Sequence, residues 1–141
     1  MSTLTDTYLT MFRQDHTLFF ATALARLRRG DALHSMVLIL FPIPRGLGGM
    51  EGDPPSVACM RDIMEDARLR SHMAAAGRVL LSTQNVRQYL GEAGMRRVQT
   101  WATLCSEIRG DRPNVFCEVL ENLFGDLEDE RARTALEKSR Y

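Results

Sequence analysis

Residues 95–108 read MRRVQTWATLCSEI, and this stretch decides the fold. Val98, Trp101, Ala102 and Cys105 recur at i, i+3, i+4 and i+7, which lines one face of a helix and breaks the alternation a strand needs. Residues 114–124 repeat the template with Phe116, Val119, Leu120 and Leu123, and Gly125 follows as a stop. Beyond it, residues 128–138 predict a last helix. The charges of residues 126–140 alternate in sign, the mark of a solvated helix face.

Upstream the same period continues. Residues 83–90 predict a short helix capped by Thr83 or Asn85. Residues 56–81 read as one helix broken near Asp66, or as two. Residues 45–55 carry Gly46, Gly48, Gly49 and Gly52, then Pro54 and Pro55, and predict an irregular loop. Residues 32–41 form an apolar run that periodicity leaves open between buried strand and buried helix; the helical character of the rest favours helix, stopped by Pro42 and Pro44. The first helix is expected over residues 5–29, with Phe12, His16, Phe19, Phe20, Ala23, Leu24 and Leu27 inward, ended by Gly30. The expectation is an all-α fold of helix packed on helix, one domain over residues 1–141.

Composition bounds the function. With 45% hydrophobic residues, 141 positions suffice for a core. Lys+Arg and Asp+Glu balance at 18 each, so no general field draws the chain to nucleic acid or an anionic membrane. The longest apolar run, residues 36–41, is far short of the about 20 that span a bilayer. No basic stretch followed by an apolar run opens the chain, and Cys59, Cys105 and Cys117 form no close pair, so reduced thiols in a cytoplasmic protein are expected. His16, His34 and His72 show no metal-ligand spacing. No metal or cofactor is implied.

Several residues are candidates for chemistry. His16, set among phenylalanines, suits a general base or a half-buried histidine with one hydrogen bond. Ser35 follows His34, a nucleophile beside a base, although neighbours in sequence rarely attain triad geometry and no nucleophile-elbow glycines flank it. Arg45, Gly46 and Gly48 open a segment whose N–H groups suit an anion, an ordinary surface loop or a mobile lid. Arg96 and Arg97 point about 100° apart on a helix, so one is expected inward, where it suits a ligand carboxylate or phosphate or a salt bridge with an acid of the last helix. Trp101 fits the core or the roof of a pocket. Met36, Met50, Met60, Met64 and Met73 suit core filling or an adaptable apolar groove.

An ordered set of motifs runs through the chain: Leu27-Arg28-Arg29-Gly30, Phe41-Pro42, Gly46-Leu47-Gly48, Gly91, Thr103-Leu104, Phe124-Gly125 and Asp129. Over residues 9–137 this order resembles the family called domain of unknown function 1810. A calpastatin-like label often attached to that family suits a disordered, repeated chain and not this one. The resemblance implies a site whose polar groups have largely changed. The family His falls on Ser35, its two Trp positions hold Met36 and Leu38, the Gln after Phe-Pro is Ile43, and the Ser after Gly-Leu-Gly is Met50. Its first-helix Gln becomes His16, its Lys becomes Arg97, and its Ser pair becomes Thr100 and Trp101. Cys105 stands where the family has Phe. The resemblance thus implies a greasier pocket that retains one cation and one hydroxyl.

Three functions follow as expectations. One is a small cofactor-independent enzyme of cyclase, isomerase or lyase type, with His16, Ser35 and Arg97 catalytic, acting on an apolar molecule with an anionic group. Another is a binding domain for such a ligand, held by Arg45, Gly46, Gly48, Thr100 and Trp101. The third is a protein-interaction or regulatory module. A small molecule and a second copy of the chain are the partners left open; nucleic acid and membrane are not expected.

Overall fold

The computed structural model of the chain describes residues 3–31, 36–111 and 113–139. Among these, seven α-helices and no strand are found: α1 (Thr3–Arg29), α2 (Val37–Leu40), α3 (Val57–Glu65), α4 (Ala67–Ser82), α5 (Val86–Arg109), α6 (Val115–Phe124) and α7 (Glu130–Lys138). The all-α expectation holds. The core is organised by Trp101. Its indole is fully buried on α5 and meets the edges of Phe41 at 4.9 Å and Phe116 at 5.3 Å. Edge-to-face contact suits the ring quadrupoles, and burying such a side chain contributes on the order of 3 kcal/mol. Around it α5 packs on α6 and α7, α4 bridges α6 and α1, and α3 lies against α4 and α5.

The helix ends follow from local chemistry. Ser56 caps α3 by accepting from the Cys59 N–H, and Asn114 caps α6 by accepting from the Cys117 N–H. Asp66 divides residues 56–81 into two helices: its extended backbone ends α3, and its carboxylate accepts from the Leu69 N–H to begin α4. The two helices expected at 83–90 and 95–108 are found within α5, parted by a kink at Gly91, where φ is 72°, ψ is 179° and the backbone is not helical. Asn85 precedes that helix in a left-handed conformation and makes no side-chain cap. The apolar run at 32–41 is a single helical turn, α2, where it is described.

One expectation about a face changes. Phe19 is not inward but 44% exposed, because a helix of this length presents a stripe wider than the core it covers. In α7, Ala132 and Leu136 are buried beneath a charged exterior. Thr100 and Thr103 hold the start of α7: the Thr100 hydroxyl donates to Asp129 at 2.6 Å, and the Asp129 N–H donates to Thr103 at 3.0 Å.

Candidate functional site

The Gly/Pro segment turns inward at Asp53, which is fully buried. Its carboxylate accepts two hydrogen bonds from the Arg97 guanidinium, at 2.9 and 2.6 Å, and one each from the Ile43 and Met50 N–H groups. Arg97, 7% exposed, also donates to the Phe41 carbonyl. Planar fork meets planar carboxylate, and both charges are matched. The inward cation is therefore spent on the protein's own loop. It is neither free for a ligand nor paired with an acid of the last helix.

The same segment is closed to an anion through much of its backbone. Arg45, Gly46 and Leu47 form a 3-10 turn, in which the Arg45 N–H donates to Pro54 and the Leu47 and Gly49 N–H groups donate to Pro44. Gly48 is left-handed, with φ 96°, and the Arg45 side chain lies in solvent. A mobile lid does not fit a loop fastened this way.

His16 makes two hydrogen bonds. Its Nε2 lies 3.0 Å from the Ile39 carbonyl, and its Nδ1 lies 2.9 Å from Nδ1 of His72 on α4. A carbonyl only accepts, so Nε2 carries the proton; Nδ1 then accepts from the Nδ1–H of His72. Phe12 lies beside the His16 ring at 4.4 Å, and Phe20 stacks on His72 at 3.9 Å. Burial pulls the His16 pKa down to about 4, and the neighbouring His72 adds to the effect. His72 is lowered too, by burial and by the Arg68 charge. A neutral imidazole with both nitrogens engaged is a tie between α1, α2 and α4 rather than a poised base.

An apolar cleft of about 350 Å³ lies between α1 and α2. Phe12, Asp15 and Phe19 line it from α1, Met36, Leu38 and Ile39 from the α2 turn, and Gly52 from the loop. Gly52 has φ 98°, where a side chain is strained, and a Cβ there would press on the Leu38 side chain at 3.1 Å. Asp15 is the cleft's charged group. Tyr8, one turn before Phe12, stacks on it at 5.5 Å, and its hydroxyl is buried without a hydrogen-bond partner.

The other candidates do not converge here. Trp101 is core, its Nε1–H directed to the Met73 sulfur at 3.4 Å, and roofs no pocket. Thr100 serves α7. Of the methionines, Met36 lines the cleft and Met50 is exposed, whereas Met60, Met64 and Met73 are core. Ser35 and His34 lie outside the described residues. Cys59 and Cys105 are fully buried, which pushes the Cys59 thiol, beside Asp62, up to about 12 and raises Cys105 as well, so neither is a thiolate near neutrality. Among the described residues no cluster of three metal-ligating side chains occurs, and no helix is long and apolar enough to cross a membrane. A larger polar cleft of about 560 Å³, walled by Arg28, Thr83, Asn85 and Tyr89, contains none of the predicted residues.

Sequence reasoning missed Asp53, Asp15 and His72. Asp53 hides in a Gly/Pro run that reads as loop, although an acid there was the signal for a partner to an inward arginine. Against known proteins, no family profile matches the chain, no curated protein matches it, and no solved structure matches it.

Proposed function

We propose that the protein binds, without transforming, an apolar small molecule in the cleft between α1 and α2. The observation that carries this reading is the composition of the cleft: aromatic and aliphatic walls with one carboxylate, Asp15, to fix orientation. Because Arg97 is already neutralised, the preferred ligand charge is positive rather than negative. An aryl or alkyl ammonium fits best.

Two further points support the reading. Met36 and Leu38 stand at the positions that align with the two tryptophans of the family the sequence resembles, so kinship with that family, which we propose alongside, would make this cleft a widened form of the family's site. Of the expected catalytic set, His16 has both ring nitrogens engaged and Arg97 is paired with Asp53, which favours binding over turnover.

The test is a thermal-shift series of aryl- and alkyl-ammonium compounds against matched alcohols and carboxylates. At about a hundred times its dissociation constant a ligand adds roughly 2.7 kcal/mol of stability. Stabilisation by the ammonium compounds, lost in Phe19→Ser and weakened in Asp15→Asn, is the expected result. No stabilisation by any member, or product formed from one, overturns the reading.

A further inference from the structure

Between Asp66 and Glu92 the chain carries no acid. Residues 67–91 hold Arg68, Arg70, Arg78 and Arg87 but neither Asp nor Glu, in a chain whose charges balance at 18 each. Arg68 turns to α1, where it donates to the Thr17 hydroxyl at 2.6 Å and the Arg13 carbonyl at 2.9 Å. Arg70 and Arg78 instead line, with Arg109 of α5, a cleft of about 440 Å³ between α4 and the start of α6. Ala67, Ser71 and Ala74 give it a floor of small side chains, and they share with the two arginines an arc of about 100° on α4. Pro113 and Val115 close the other side. The start of α6 approaches α4 closely because Gly77 is bare: a Cβ there would lie 3.2 Å from the Val115 side chain. The charge in this cleft is unbalanced. Three guanidiniums face one carboxylate, Asp111, which Arg109 already binds at 3.1 Å. Arg70 donates to the Met64 carbonyl, which leaves its charge unmatched. Arg78 is exposed and has no hydrogen bond or ion pair among the described residues. Like charges around one concavity repel one another, and an anion relieves them.

We propose that this cleft binds a small phosphate monoester, with Arg70 and Arg78 on the phosphate oxygens and Ala74, Pro113 and Val115 against the organic part. A guanidinium fork matches phosphate oxygens in pairs, which a point charge does not. The charge also matches: three arginines less one aspartate leave a surplus of two, and a phosphate monoester carries nearly two negative charges near neutrality. The positive end of the α6 dipole opens on the same cleft and acts in the same sense. The volume is that of a small-molecule site. Asp111, exposed beside Arg109, would repel the next phosphates of a nucleic acid strand, which favours a single phosphate group. This cleft shares no lining residue with the one between α1 and α2, and the inference stands apart from the ammonium reading.

The test is calorimetric titration of the whole chain with phenyl phosphate, inorganic phosphate and phenol. Phenyl phosphate should bind, inorganic phosphate more weakly, and phenol not at all. Arg78→Gln, at an exposed position and with unchanged helical circular dichroism, should weaken phenyl phosphate about tenfold or more, the loss of a hydrogen bond to a charged group. Arg26→Gln, which removes an equally exposed arginine outside the cleft, should leave the affinity unchanged and so separates a site from a general effect of charge. A single-stranded oligonucleotide at the same phosphate concentration should not displace phenyl phosphate. No binding at millimolar phenyl phosphate overturns the proposal, as does binding indifferent to Arg78→Gln or weakened equally by Arg26→Gln. Equal affinity for inorganic phosphate overturns the organic ligand, and displacement by the oligonucleotide overturns the small one.

Discussion

Arg97 and Asp53, forty-four residues apart in sequence, meet in two hydrogen bonds of 2.9 and 2.6 Å inside the protein. Removing one partner leaves the other charge buried alone. Arg97→Leu is expected to cost about 3–5 kcal/mol in urea unfolding, and Arg97→Lys less, because the charge survives while the fork does not. An Arg97→Leu chain of wild-type stability would show that the guanidinium serves something other than the loop.

Acid should weaken the fold through His16. The unfolded side chain takes its proton near 6.5 and the folded one only near 4, so between these values the unfolded state binds more protons and stability falls as pH falls. The contribution is absent as a cost above pH 6.5 and reaches about 2 kcal/mol by pH 5, a drop of roughly 5–10 °C in Tm. The lowered pKa of His72 acts in the same direction. Melting curves at pH 7.5 and 5 should show this drop, and His16→Gln, although less stable at neutrality, should show a smaller one.

Two glycines three residues apart, Gly46 and Gly49, should behave oppositely. A Cβ on Gly49 would lie 2.7 and 2.8 Å from the Ile43 and Pro44 carbonyl oxygens, which are backbone and cannot step aside. Gly49→Ala is therefore expected to cost about 1–3 kcal/mol or more. At Gly46 nothing lies within 4 Å, and Gly46→Ala should change stability by less than about 0.5 kcal/mol. Equal effects at the two sites, read in the same denaturation experiment, would contradict the observed path of the loop.

Tyr8→Phe removes a buried hydroxyl that has no hydrogen-bond partner and leaves the ring stacked on Phe12. Stability should stay level or rise by up to about 1 kcal/mol, since desolvating that hydroxyl has no compensation. A clear fall in Tm would mean that the hydroxyl is engaged.

The helices were legible because their signals are local. Val98, Trp101, Ala102 and Cys105 carry their period in eight consecutive residues, and Ser56, Asn114 and Asp129 are capping residues by type. The bend at Gly91 was visible only as a gap between two helices, since a left-handed glycine and a helix stop share one sequence mark. The site was less legible because it rests on long-range pairing. Nothing near Arg97 points to Asp53, and nothing near His16 points to His72. Phe19 carries the same period as its buried neighbours, and only the width of the covering layer decides that it faces out.

The buried anchor at Asp53 has a consequence for how the chain meets proteases and engineers. A run with four glycines and three prolines between Pro44 and Pro55 is where one would look for a cleavage point or a place to graft a tag. With Asp53 pinned to α5 and three N–H groups turned to proline carbonyls, that run resists nicking as long as the helices hold, and an insertion there dislodges Arg97. The exposed turn at Gly125, Asp126 and Leu127, joining α6 to α7, is the more permissive place to open the chain.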